Sequence, residues 1–116
     1  MTEHVAGTLT VSDDVFADLA GYAAKECYGV VGMAPVDGRD GLSHALGGRL
    51  RRGVHVARDE EGRLTVDLYV ILEYGVNLAA VSRNLVDAVQ FVLKGIAQIE
   101  DARVHVHVKG MKVREA

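Results

Sequence analysis

Residues 64–77 read LTVDLYVILEYGVN, and this stretch decides how the chain folds. The even positions from Leu64 to Leu72 are all apolar, whereas the odd positions mix threonine, aspartate, tyrosine, isoleucine and glutamate. Such alternation predicts a strand with one dry face and one mixed face, as in a sheet that is covered on one side. The strand is expected to run to about Tyr74, and Asn77 then offers an N-cap for a helix.

The segments that follow Asn77 predict a helix and a last strand. The helix has an apolar residue every three or four positions, which is the pattern of one buried face. That stripe consists of Leu78, Val81, Leu85, Val89, Val92 and Ile96. From Arg103 to Lys109 the chain alternates again, with three valines on one face and basic or histidine side chains on the other. This alternation predicts the last strand.

The segments that precede residue 64 predict two further strands and one helix. Val54 to Arg58 reads as a strand that pairs with the next one through a polar turn. Ser12 offers an N-cap for a first helix whose apolar stripe ends at Cys27, and residues 5–11 alternate as a strand. Residues 29–53 hold seven of the thirteen glycines and predict an irregular loop that contains one or two helical turns.

These elements predict an α+β fold. The order is β-α-β-β-α-β, and the economical packing is a two-layer sandwich with a mainly antiparallel or mixed four-stranded sheet and two helices on one face. The chain of 116 residues fits a single domain, residues 1–116, with its core at about 5–113.

Composition bounds the classes of function. A formal net charge of −3 gives no global attraction to nucleic acid or to anionic membranes. The single cysteine, Cys27, cannot form an intramolecular disulfide, and we expect a small core residue there, in a reducing compartment. No apolar run approaches the roughly 20 residues that span a bilayer, and the N-terminus lacks the features of a signal peptide. We therefore expect a cytoplasmic protein.

Four segments, in this order and spacing, carry a resemblance to a known family. They are GTLTVS at 7–12, GVVGM at 29–33, VDLYVILEYGVN at 66–77 and VHVHVKG at 104–110. Together they resemble the alkaline shock protein family of the Asp/Gls type, also called the envelope stress response family. The resemblance covers roughly residues 5–113, and the step from Glu73-Tyr74-Gly75 into Asn77 is its most specific part.

The resemblance implies a small bacterial cytoplasmic protein that is linked to cell-envelope or alkaline stress. It implies self-association into a homo-oligomer, a membrane-anchored protein partner that holds the protein at the inner face of the membrane, and no assigned catalytic residues. Because no apolar run could span a bilayer and no cofactor-binding motif is recognisable, we expect no direct membrane insertion and no cofactor. The residues themselves agree with a non-enzyme, because no phosphate loop, dinucleotide fingerprint or exposed reactive thiol is recognisable.

The histidines of the last strand raise two hypotheses. His105 and His107 lie two apart and project from one face, about 7 Å apart, and a third ligand from His55 or Asp67 would complete a zinc site. The sequence favours solvated histidines over a metal site, because it has no compact Cys/His signature. Since histidines titrate near neutral pH, we also hypothesise that this face changes charge between about pH 6 and 7.

An alternative function is a KH-like RNA-binding module. Gly29-Val30-Val31-Gly32 has the GxxG form with which KH domains clamp a nucleic-acid backbone. The nucleic-acid contacts would then be Gly29, Gly32, Arg49, Arg51 and Arg52. Two valines inside the GxxG form and the net charge of −3 make nucleic acid an unlikely partner.

The mixed face of the last two predicted strands suggests a surface for self-association or partner binding. Its candidate residues are Tyr69, Ile71, Tyr74, His105 and His107. The competing interpretation is that loop 33–52 folds over this face and buries it, and the sequence does not decide between the two. We therefore predict a non-enzymatic binding and assembly protein.

Overall fold

A computed structural model describes residues 10–34 and 49–113 of the chain, which form two helices and five strands. In chain order these elements are α1 (Asp13–Lys25), β1 (Val30–Met33), β2 (Arg49–Arg51), β3 (Val54–Arg58), β4 (Leu64–Glu73), α2 (Leu78–Ala97) and β5 (Arg103–Lys112).

Strand β4 is the centre of the sheet. One edge of β4 pairs in parallel with β5 from Thr65 to Glu73. The other edge is shared, because β3 pairs antiparallel with residues 64–68 and β1 pairs antiparallel with residues 70–72. Strand β2 extends the sheet as an antiparallel neighbour of β3. The parallel β4–β5 pair needs a long crossover connection, and α2 provides it.

The exchange of partners along β4 takes place at Tyr69. The backbone N–H of Tyr69 donates to the carbonyl of Gly53 at 2.9 Å, and the carbonyl of Tyr69 accepts from the N–H of Ala34 at 2.8 Å. Gly53 has a φ of +83°, and a Cβ there would lie 2.8 Å from the carbonyl oxygen of Ala34. Only glycine allows β1 and β3 to meet this closely on one edge of β4.

Both helices pack on the same face of the sheet. The five apolar residues at the even positions of β4 are almost fully buried: Leu64, Val66, Leu68, Val70 and Leu72. They belong to one core cluster with Phe16, Ala20 and Ala24 of α1 and with Val81, Leu85, Val89 and Leu93 of α2. Burial of each large aliphatic side chain contributes about 1.5–3 kcal/mol. The two layers therefore share one continuous hydrophobic core.

The structure confirms the α+β class, the mixed sheet, the two helices on one face and the β3–β4 hairpin. The side chain of Asn77 caps α2 by accepting from the N–H of Ala80 at 3.0 Å, as the sequence predicts. Ser12 is the N-cap residue of α1, although its side chain makes no capping hydrogen bond.

The prediction of an irregular loop over residues 29–53 is wrong at both ends. β1 begins directly after Gly29, and β2 occupies Arg49–Arg51, so the described sheet has five strands rather than four. β1 does not alternate and is interrupted by Gly32, and β2 has only three residues, so neither shows an alternation long enough for a strand assignment. The middle of the loop, residues 35–48, lies outside the described part, which includes its predicted helical turns.

Two further predictions need correction or lie outside the described residues. Leu78 and Ile96 of the predicted α2 stripe are 44% and 67% exposed, whereas Leu93, which lies outside the predicted stripe, is fully buried. The sheet contacts the middle of the helix, so the stripe fades at both ends. The predicted first strand, residues 5–11, is described only from Thr10 onward, and Thr10 and Val11 belong to no strand.

We expect Gly53→Ala to lower the free energy of unfolding by about 2–5 kcal/mol, because it adds left-handed strain to a steric clash. Gly62→Ala is the matched control: its φ is +82°, but no atom lies within 4 Å of the added Cβ. Gly62→Ala should lower the free energy of unfolding by only about 1–2 kcal/mol, because it adds left-handed strain without a clash. Urea unfolding of both variants measures the difference, and equal losses would contradict the crowding at Gly53.

The β3–β4 turn generates a pH-dependent prediction. The carboxylate of Asp59 accepts from the backbone N–H of Arg63 at 2.8 Å and of Glu61 at 2.9 Å. The Arg63 hydrogen bond is the largest of the effects that hold the pKa of Asp59 below its usual value. A lowered pKa adds stability above the unfolded-state pKa, and that stability is lost as pH falls through the folded-state pKa. Asp59→Asn should therefore destabilise the protein at pH 7, and by less in acid.

Urea unfolding at pH 7 and in acid, with Glu60→Gln as the exposed control in the same turn, measures this difference. An Asp59→Asn effect of equal size at both pH values would contradict the role of the charged carboxylate.

Candidate functional site

Asp67 lies at the middle of β4 and bridges two histidines from the strands on either side. Nε2 of His107 on β5 donates to Oδ1 of Asp67 at 2.9 Å, and Nδ1 of His55 on β3 lies 3.3 Å from Oδ2. A carboxylate only accepts hydrogen bonds, so each facing ring nitrogen carries a hydrogen in this arrangement. The cluster His55–Asp67–His107 thus links three strands through side chains.

The cluster becomes less buried from β3 toward β5. The side chain of His55 is 2% exposed, that of Asp67 15% and that of His107 36%. Buried polar groups cost free energy unless they are hydrogen-bonded, so Asp67 offsets part of the cost of burying His55. The outer member, His107, remains accessible to solvent at the edge of the sheet.

Tyr69 packs against the outer member of this cluster. Its ring stacks on the imidazole of His107, with centroids 4.7 Å apart and planes 14° apart. Tyr69 is only 5% exposed, so its prediction as an exposed anchor of a binding surface is wrong. Tyr69 therefore contacts three strands: its side chain stacks on His107 of β5, and its backbone is hydrogen-bonded next to β1 and β3.

The predicted histidine metal site is only partly assembled. His55 and His107 approach Asp67 from opposite strands, while His105 is exposed and takes no part in the cluster. The ring nitrogens that face Asp67 donate hydrogen bonds to it and are therefore not free to bind a metal. Within residues 10–34 and 49–113, no group of three or more His, Cys, Asp or Glu side chains is arranged to hold a metal ion.

The other residues of the predicted binding surface differ in exposure. Ile71 and His107 are half-buried, His105 is exposed, and Tyr74 is 71% exposed just beyond the end of β4. Most of loop 33–52, which was the alternative cover for the mixed face, lies outside the described residues. The pH hypothesis for His105 and His107 stays a prediction.

Tyr74 has a neighbour that sequence reasoning missed. Tyr28, between α1 and β1, is 78% exposed. It lines the same groove as Tyr74, and this groove lies beside the start of α2. Asn77, the N-cap of α2, and Asn84 in α2 also line this groove. We call these four residues the tyrosine surface. The available signal was the placement of each tyrosine directly before a glycine, Gly29 or Gly75, since such glycines mark turns at which side chains are exposed.

Backbone hydrogen bonds hold the two tyrosine-bearing turns side by side. The N–H of Glu73 donates to the carbonyl of Gly29 at 2.7 Å, and the N–H of Tyr74 donates to the carbonyl of Lys112 at 2.7 Å. Gly29 and Gly75 have φ values of +91° and +97°, which other residues rarely adopt. The tyrosine rings are therefore exposed on a fixed backbone.

The KH-like alternative receives no support. Val30 to Met33 forms β1, which pairs with β4, so the backbone of the GxxG segment is engaged in the sheet. Val30 is buried in the core cluster. Arg52 is exposed in the β2–β3 turn, and the side chains of Arg49 and Arg51 lie outside what the structure describes.

Cys27 packs against the core, but it is half-buried rather than the buried core residue that the sequence predicts. Its thiol lies 3.5 Å from the carbonyl oxygen of Ala23. Burial raises the pKa of the Cys27 thiol, which favours the unreactive protonated form.

Comparison with known proteins gives a family match over nearly the whole chain. The model of the alkaline shock protein 23 family, described by its cell envelope-related function, matches residues 1–113. The uncharacterized protein YloU of Bacillus subtilis is 34% identical over 109 residues, covering 92% of this chain and 90% of its own length.

Two relatives from Streptococcus pyogenes extend this comparison. The uncharacterized protein Spy1614 is 35% identical over 92% of this chain and 89% of its own length. The uncharacterized protein Spy1535 is 30% identical over 96% of this chain and 84% of its own length. No solved structure matches the chain. Among the helices that the structure describes, none has the length and apolar character needed to cross a membrane.

We expect His107→Ala to lower the free energy of unfolding by about 1–3 kcal/mol, because it removes the hydrogen bond to Asp67 and the stacking on Tyr69. His105→Ala is the matched control, two residues away on the same strand but exposed. Its effect should stay within about 0.5 kcal/mol. Urea unfolding at pH 7 compares the two, and similar losses would show that the cluster does not stabilise the fold.

Proposed function

Because the chain belongs to the alkaline shock protein 23 family, whose function is cell envelope-related, we propose that it is a non-enzymatic domain that acts by self-association and by binding protein partners. The observation that carries the proposal is the tyrosine surface, where Tyr28 and Tyr74 are 78% and 71% exposed around one groove. Tyrosine is among the residue types that dominate the energetics of protein interfaces.

The rigidity of this surface supports a role in binding. Both tyrosines lie on turns whose backbones are hydrogen-bonded to the sheet, through Gly29 and Lys112. A pre-positioned anchor loses less conformational entropy on binding than a mobile one. Less of the free energy gained by burying each ring is therefore spent on ordering the backbone that carries it.

The chemistry of the titratable groups supports the absence of catalysis. Asp67 is hydrogen-bonded to two histidines that belong to neighbouring strands, which is an arrangement that stabilises the sheet. A reactive cysteine needs a lowered thiol pKa, whereas burial raises the pKa of Cys27. We therefore assign these groups structural roles.

The proposed place of action is the cytoplasmic side of the cell membrane. A membrane-anchored protein is the proposed partner there, and the domain itself does not insert into the bilayer. The envelope-related function of the family supports this location. The tyrosine surface is the surface that we propose for contacts in such assemblies.

We expect the purified protein to form an oligomer above the 12.5 kDa of one chain. The double variant Tyr28→Ser, Tyr74→Ser should weaken self-association at least tenfold, because it removes two aromatic anchors from one surface. Size-exclusion chromatography with light scattering over a concentration series measures the effect.

Tyr22→Ser is the matched control for this experiment, because Tyr22 is 66% exposed on α1 and does not line that groove. It should leave the mass distribution unchanged. A wild-type protein that stays monomeric at high concentration, or a double variant that assembles like the wild type, would contradict the proposal.

A further inference from the structure

The outer edge of β5 is a second surface with the character of a binding site. β5 has ten residues and pairs with β4 on one edge, and no other strand in the part of the chain that the structure describes pairs with it. Arg103, His105 and Lys112 are exposed along it. An edge strand of this length presents a row of backbone groups on which another strand can pair.

The charge of β5 restricts what can pair there. The strand reads RVHVHVKGMK and contains no acidic residue, although the whole chain has a net charge of −3. Its basic and histidine side chains at Arg103, His105 and His107 share one face, opposite to Val104 and Val106. A partner strand would therefore meet positive or titratable groups on one face and valines on the other.

A second copy of β5 does not fit this edge well. Where the two faces stay aligned, the arginine and the histidines of one copy lie opposite basic or histidine side chains of the other. A second copy therefore offers no carboxylate to the arginine and lysines of β5, and opposite charges are the pairs that stabilise neighbouring strands. Charge complementarity instead favours a segment with acidic side chains at alternate positions.

The apolar face of β5 also has room for a partner. Val104 and Val106 are half-buried, and Val108 is 37% exposed. Val104 and Val106 line a groove with Ala79 and Val86 of α2, and the polar side chains of Ser82, Arg83 and Asp87 line its helix side. Apolar side chains of an added strand would extend the sheet–helix interface over this groove.

We propose that the outer edge of β5 binds an extended segment of another protein in which acidic and apolar residues alternate, as an added strand of the sheet. Backbone hydrogen bonds supply part of the affinity, and the alternation of side chains supplies specificity. This inference rests on the proposed function as a protein-binding domain and specifies the chemistry of one partner. It does not depend on the tyrosine surface.

The test uses the full chain and a fluorescent peptide of about ten residues that alternates glutamate and valine, a length matched to an edge strand. One comparison peptide has the same sequence with two adjacent central backbone nitrogens methylated, which removes a donor from each edge. Another replaces glutamate by lysine. Fluorescence anisotropy at low salt measures affinity, and amide NMR shifts locate the site.

We expect the glutamate–valine peptide to bind at β5, the methylated peptide to bind at least tenfold more weakly, and the lysine peptide not to bind. Arg103→Glu should weaken binding at least fivefold, because it replaces attraction by repulsion, and His105→Glu should also weaken it, because it adds a negative charge beside the acidic peptide. Lys25→Glu on α1 makes the same charge change as Arg103→Glu and should alter affinity less than twofold. Circular dichroism confirms that the variants fold.

Several results would overturn the proposal. Equal binding of the methylated peptide would mean that charge alone attracts it and that no strand forms. Equal effects of Lys25→Glu and Arg103→Glu would place the site elsewhere. β5 amide shifts that follow protein concentration without peptide would make a second copy the occupant. Loss of self-association in the tyrosine double variant leaves peptide binding unchanged if the inference holds, so the two failures are separable.

Discussion

The structure depends on the backbone hydrogen bonds along the two edges of β4. β5 occupies one edge, and β3 and β1 share the other by pairing with successive halves of it. At Tyr69 the N–H bonds to Gly53 and the carbonyl bonds to Ala34, so no backbone group of that residue is left unpaired where the partner changes. The helices, the histidine cluster and both proposed binding surfaces are placed by this one strand.

The two faces of β4 have different tasks. The even face holds the hydrophobic core under α1 and α2, where apolar burial provides most of the stability. The odd face carries Asp67 between His55 and His107, and the acceptance of two hydrogen bonds by one carboxylate allows polar groups to be buried there. The polar cluster therefore joins β3, β4 and β5 by directional hydrogen bonds, which apolar side chains could not provide.

The two proposed binding surfaces lie at the end of the sheet and along the outer edge of β5. At these places side chains are not enclosed by the core and can be polar or aromatic. The Glu73–Gly29 hydrogen bond joins the two turns that carry Tyr28 and Tyr74, and the Tyr74–Lys112 hydrogen bond ties this surface to the end of β5. The tyrosine surface and the start of β5 are thus different regions of one rigid layer. Such an arrangement lets one domain contact a further copy and an extended partner at the same time.

The sequence by itself determined α1, β3, β4, α2 and β5, the hairpin, the Asn77 cap and the α+β class. Alternation and helical periodicity predict these elements because they reflect which side of each segment is buried. It also led to the family, through the step from Glu73 to Asn77. Only the tertiary structure decided that Gly29–Met33 enters the sheet, that Tyr69 is buried against His107, and that Tyr28 lies beside Tyr74. These features arise from contacts between residues far apart in the chain, and local pattern carries no information about such pairs.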